Sequence, residues 1–159
     1  MGVPDFIVAL RRHIGHAPLW LPGVTAVIRR TSGGDPQVLL VRRADNGRWA
    51  PVTGIIDPGE QPAVAASRET LEETGVHITV DRLASVVAHP LTSHPNGDLA
   101  YYLDHTFACT WVGGEPYAAD EESVDAAWWP VDGLPEMEQA HRDRIDTVLA
   151  EDPVTRFVR

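Results

Sequence analysis

Apolar positions along the chain fall into strand-like runs separated by turn formers, with three stretches of helical spacing. Val24 to Arg30 and Val38 to Arg43 are rich in β-branched residues and read as two strands. Thr31-Ser32-Gly33-Gly34-Asp35-Pro36 between them makes the pair a hairpin. Ile78 to His89 predicts a long or broken strand, Leu99 to Val112 another, and Val124 to Val131 the last. Pro4 to His13 predicts a short helix with a mixed stripe of Ile7, Leu10, Arg11 and Ile14, and Glu136 to Leu149 predicts a closing helix. The N-terminal helix either covers the sheet of its own chain or packs on a partner in a homodimer. Trp128 and Trp129 cannot share one face of a strand; one is expected in the core, and the other either shelves a base or packs on the C-terminal helix, with core the expectation for both.

The third helical stretch is the most informative. Pro58-Gly59 marks a turn, Pro62 suits a first helical position where its missing N–H costs nothing, and Ala63 to Thr74 holds good helix formers. Gly75 suits the left-handed closing position. Within this helix Glu69, Glu72 and Glu73 stand at offsets of three and four, on one face. Three carboxylates in the last two turns repel one another and oppose the helix macrodipole. One reading is a solvated acidic face with an Arg68–Glu72 ion pair. The other is a site in which a divalent cation turns that repulsion into binding. Oxygen ligands without His or Cys nearby point to Mg²⁺ or Mn²⁺, and Mg²⁺ characteristically meets substrate phosphates.

Seven positions between Gly54 and Gly75 complete a pattern: Gly54, Glu60, Arg68-Glu69, Glu72-Glu73 and Gly75, followed by Val76. With Gly and Glu each roughly 7% of ordinary protein, such a match arises at a given start on the order of once in a million. The stretch Gly54 to Val76 resembles the Nudix box of the Nudix hydrolases, with Thr70 standing where an aliphatic residue is usual. The resemblance implies an α/β fold of Nudix type, an α/β/α sandwich whose mixed β-sheet is flanked by the box helix and a C-terminal helix. It implies a single domain over 1–159 with an N-terminal helical extension over 1–20. It also implies Mg²⁺- or Mn²⁺-dependent cleavage of the pyrophosphate in a nucleoside diphosphate derivative, an ADP-ribose-like nucleotide sugar or a (d)NTP. Glu69 and Glu73 are then metal ligands, joined by Glu72, Glu60 and the Gly54 carbonyl, and Arg68 pins a box carboxylate. The general base is Glu72, or Glu121 or Glu122 in the loop before the last strand. Relatives often read Trp-x-Leu-Pro-Gly-Gly before the box; here Trp49-Ala50-Pro51-Val52-Thr53-Gly54 alters the pocket floor and leaves the carboxylates untouched.

The remaining chemistry narrows the partners. Pro90 to Asp98 is longer than a hairpin needs even with its Asn96-Gly97 turn, and long loops carry binding functions. Arg43, His94 and Asp98 are the substrate-contact candidates. Pro90 lies near where ADP-ribose hydrolases of the family tend to carry a proline. A net charge of −10 disfavours a duplex nucleic-acid surface, leaving a small nucleotide as substrate. The apolar run Phe6 to Leu10 is too short for a signal peptide and no segment spans a bilayer, so a cytoplasmic location is expected. Cys109, the only cysteine, reads as a small buried hydrophobe, against a diphosphate isomerase that would use it. Ser67 and Ser123 lack a nucleophile-elbow context, and the seven dispersed histidines lack zinc spacing. A non-catalytic nucleotide-sensing module on the same fold would generally lose box glutamates, and this chain keeps them.

Overall fold

The computed structural model describes residues 3–159. Strands β1 (Leu19–Ser32) and β2 (Asp35–Arg43) form the predicted hairpin, closing at Ser32 against Asp35. β1 begins at Leu19 rather than Val24, inside the stretch expected as a helical extension. The cause is non-local: β1 pairs in parallel with β7 (Leu99–Gly113) from Leu19 opposite Ala100 through Arg29 opposite Thr110. On its other edge β1 meets β4 (Val52–Ile55) first and β2 afterwards, both antiparallel. The sheet runs β3-β2-β1-β7-β5-β9, where β3 is Trp49–Ala50, β5 is His77–Ala88 and β9 is Arg156–Phe157. β6 (Thr92–Ser93) pairs with β7, and β8 (Ser123–Pro130) pairs with β2.

Six consecutive residues of β1, Gly23 to Ile28, are buried, which is the signature of a strand covered on both faces. Val24, Ala26 and Ile28 join Leu39 and Val41 of β2 and Ala65 and Ala66 of α2 (Pro62–Thr74) in one core. Val27, Val38 and Leu40 join Ile145 and Val148 of α3 (Gln139–Leu149) in the other. Each fully buried Val, Leu or Ile contributes roughly 1.5–3 kcal/mol, so strict alternation fixes the register of both strands. The result is the expected α/β/α sandwich. Trp128 and Trp129, half-buried, pack against the α2-side and α3-side cores respectively.

Helix α1 (Asp5–Ile14) covers the start of the sheet, with Ile7 buried against Leu21 and Ala100. Cys109 is fully buried, and burial pushes its thiol up to about 12. Among the described residues no helix is long and apolar enough to cross a membrane.

Candidate active site

Helix α2 starts at Pro62 and ends at Gly75, which takes the left-handed conformation at φ 70° and donates its N–H to the Leu71 carbonyl at 2.9 Å. Its last turn carries no basic residue. The carbonyls there are met by the loop before β8: Tyr117 N–H donates to Thr74 O at 3.2 Å and Ala119 N–H to Glu73 O at 3.0 Å. Gly75 has a second reason to be glycine, since a Cβ there would overlap the Tyr117 ring.

Arg68 is the hub of the acidic cluster. Its Nε and Nη2 donate to the two oxygens of Glu60, each at 2.8 Å, a bidentate pair. Nη1 donates to Glu69 at 2.8 Å and to Glu72 at 3.1 Å, and Nη2 also reaches the Ile55 carbonyl at 3.1 Å. Glu60 further accepts the Asp57 N–H at 3.1 Å across the Pro58-Gly59 turn. Arg68 thus makes four charge-assisted contacts to three box carboxylates. Their cost is that Glu60 and Glu72 are turned toward the guanidinium. Among the described residues no three His, Cys, Asp or Glu side chains converge as a finished metal cage.

Glu69 and Glu73 are the buried members of the cluster. Burial pushes the Glu69 carboxyl up to about 7, against the pull of Arg68. Burial pushes Glu73 up to about 9, reinforced by the like charges of Glu69, Asp120 and Glu122. Two desolvated carboxylates side by side are a donor set that fits a hard divalent cation, which would return the solvation they have lost. Gly54 packs so tightly on Glu69 that a Cβ would overlap its carboxyl, so this backbone is shaped around that side chain.

A cavity of about 390 Å³ opens beside Glu69. Its lining brings together Gly54, Glu69, Glu122, Arg43, His94 and Asp98, all singled out from sequence. Glu60, Glu72, Glu73, Arg68 and Glu121 do not line it. Glu121 and Glu122 both lie at the surface; Glu122 lines the cavity, where its carboxyl is raised above its ordinary value, and Glu121 does not. Arg43 is held by Asp45 through a bidentate pair at 2.9 and 2.6 Å. His94 Nε2 lies 2.9 Å from the Tyr102 hydroxyl, and Asp98 Oδ1 lies 2.7 Å from His16 Nδ1.

Sequence reasoning missed Ile7, Arg11 and Tyr102, which also line the cavity. The one legible signal was Arg11 within an otherwise apolar stripe; nothing placed that stripe beside the box.

The NUDIX domain family matches residues 19–149. A "MutT-like protein" of Streptomyces ambofaciens is 32% identical, over 60% of this chain and 65% of its own length. The human "8-oxo-dGDP phosphatase NUDT18" is 32% identical over 66% of this chain and 32% of its own length. The chain thus spans less than two thirds of these curated relatives. A solved "NUDIX hydrolase from Nitrosomonas europaea" superposes with a TM-score of 0.66 at 27% identity, covering 83% of this chain and 90% of that one. With its box helix, its mixed sheet and a match over 19–149, the chain belongs to the NUDIX domain family.

Proposed function

We propose that this protein is a divalent-metal-dependent pyrophosphohydrolase of a small nucleoside diphosphate derivative. The observation that carries the reading is one cavity joining Glu69, Gly54 and Glu122 to Arg43, His94 and Asp98. Carboxylates that want a cation and basic side chains that want phosphate meet in a single space, as phosphate-bond hydrolysis requires.

In this reading Glu69 and Glu73 hold the cation, with Glu72 and the Gly54 carbonyl beside them. Glu60 serves instead as the anchor of Arg68, which fixes the geometry of Glu69 and Glu72. A bound Mg²⁺ or Mn²⁺ would polarise the bridging phosphates and lower the pKa of the attacking water. The water oxygen bonds to one phosphorus as the bridging P–O bond breaks, and its proton passes to a carboxylate. Glu122 takes that proton in preference to Glu121, because it faces the cavity and Glu121 does not. Arg43, presented by Asp45, neutralises phosphate oxygens. Mononucleotides and nucleotide sugars are the substrate class, in keeping with the 8-oxo-dGDP activity named for the human relative.

A chromatographic panel that resolves the nucleotide products tests the reading, with GTP, dGTP, 8-oxo-dGTP, ADP-ribose and NAD, each with Mg²⁺, with Mn²⁺ and with chelator. Metal-dependent turnover of at least one nucleotide is expected. Silence across the panel with tight nucleotide binding retained would make the protein a sensor instead.

A further inference from the structure

Helix α1 stands outside residues 19–149, yet α1 and the residues before it supply Val3, Pro4, Ile7 and Arg11 to the cavity that holds Glu69 and Glu122. The far end of α1 is clasped to the start of β7 and the residue before it. Arg11 Nη2 donates to the Leu99 carbonyl at 2.8 Å, while Nη1 donates to the Gly15 carbonyl at 3.0 Å and to the Ala17 carbonyl. Arg11 Nε sits 3.5 Å from Asp98 Oδ1, the oxygen that His16 also contacts. A guanidinium spent on three carbonyls and a carboxylate is a strut rather than a phosphate ligand.

The cavity is chemically divided. Arg43, Glu69 and Glu122, with Arg11 and Asp98, supply its charge, whereas Ile7, Leu21 and Ala100, with Ile55 and Tyr102 packed on them, form its apolar cluster. A nucleotide is divided in the same way, into a charged polyphosphate and a flat base with largely apolar faces. At about 390 Å³ the space lies near the lower end of the roughly 300–1,000 Å³ usual for ligand sites, which suits one nucleoside rather than two. Resting on the hydrolase reading above, we propose that α1 is the wall that holds the nucleoside half of the substrate. Arg11 is its positioning residue, locking the wall to Asp98 and Leu99. The device selects mononucleotides over substrates carrying a second nucleoside.

Two substitutions probe the wall from opposite sides. Val3→Trp projects bulk into the cavity from a residue that is 55% exposed, so the core is not overpacked. Arg11→Ala releases the clasp. GTP and NAD are the probes, followed by steady-state kinetics and by calorimetric titration of GTP without turnover. Each variant should raise KM and Kd for GTP about tenfold while kcat stays within about twofold, the pattern of lost ground-state binding. Arg11→Ala should also shift the GTP-to-NAD preference toward NAD by about tenfold. Unchanged GTP binding in both variants would overturn the proposal, as would a fall in kcat at constant KM or a wild type that binds neither probe. If the wild type binds GTP without hydrolysing any nucleotide, and Val3→Trp still weakens that binding, the hydrolase reading fails while the wall stands.

Discussion

The two sides of the sheet both bury charge and manage it in opposite ways. On the α3 side, Asp104 accepts hydrogen bonds from Thr25 and Thr106, each at 2.7 Å, and lies 3.7 Å from Arg144. Arg144 in turn donates to Thr25 at 3.0 Å and to His89 Nε2 at 2.9 Å. In that network one carboxylate is balanced by one guanidinium. On the α2 side, one arginine serves Glu60, Glu69 and Glu72, while Glu73 is surrounded by like charge and its carboxyl is pushed up to about 9. The lesson is that burial alone does not mark a site. A buried ionic network that is internally compensated pins elements together, whereas one left with surplus negative charge calls for a cation from outside.

Substitutions sharpen that contrast. The largest effect is expected from Glu69→Gln and Glu73→Gln, each cutting metal-dependent turnover by about a thousandfold with the circular dichroism spectrum unchanged. Near-normal rates in both would erase the functional half of the comparison. Arg144→Ala should do the reverse. It leaves Asp104 buried without its cation, costing on the order of 3 kcal/mol in urea unfolding, with activity per folded molecule retained. A large loss of kcat there would mean that the α3 side also belongs to the chemistry.

Gly54→Ala tests how tightly the α2 side is built. The added methyl overlaps the Glu69 carboxyl, so stability should fall by about 1–3 kcal/mol and turnover should fall with it. The smallest effect concerns His141, half-buried on α3, whose pKa burial lowers to about 4, with Arg144 and Arg43 adding to the shift and Asp104 opposing it. The folded state disfavours the protonated ring, so this residue is neutral in its influence above pH 6.5 and destabilises the fold as pH falls from 6.5 toward 4. His141→Gln should remove about 1 kcal/mol of that acid sensitivity, or roughly 2–4 °C in Tm at pH 4.5 relative to pH 7.5. Parallel pH profiles for the two proteins would refute the assignment.

The parts that could be read from the chain alone share one property: their partners are close in sequence. Pro62, the acid spacing and Gly75 define α2 within a single turn-and-helix segment, and Ser32 closes on Asp35 across two glycines. Arg68 with Glu69 and Glu72 follows from helical geometry alone. The short strands β3, β4, β6 and β9 carry no periodicity of their own and exist only because a longer neighbour offers an edge. The early start of β1 at Leu19 is likewise set by β7, some eighty residues further on.

What the amino-acid sequence determined by itself was local: which carboxylates stand on one helical face, which glycines allow the chain to turn, and hence membership in the NUDIX domain family. Tertiary structure decided the rest. It spent Glu60 on Arg68, separated Glu122 from Glu121, and brought α1 across the sheet so that Ile7 and Arg11 wall the cavity beside Glu69. Local spacing fixes angles around a helix, but which buried charge meets a partner depends on contacts between distant segments, and those form only when both faces of the sheet are packed.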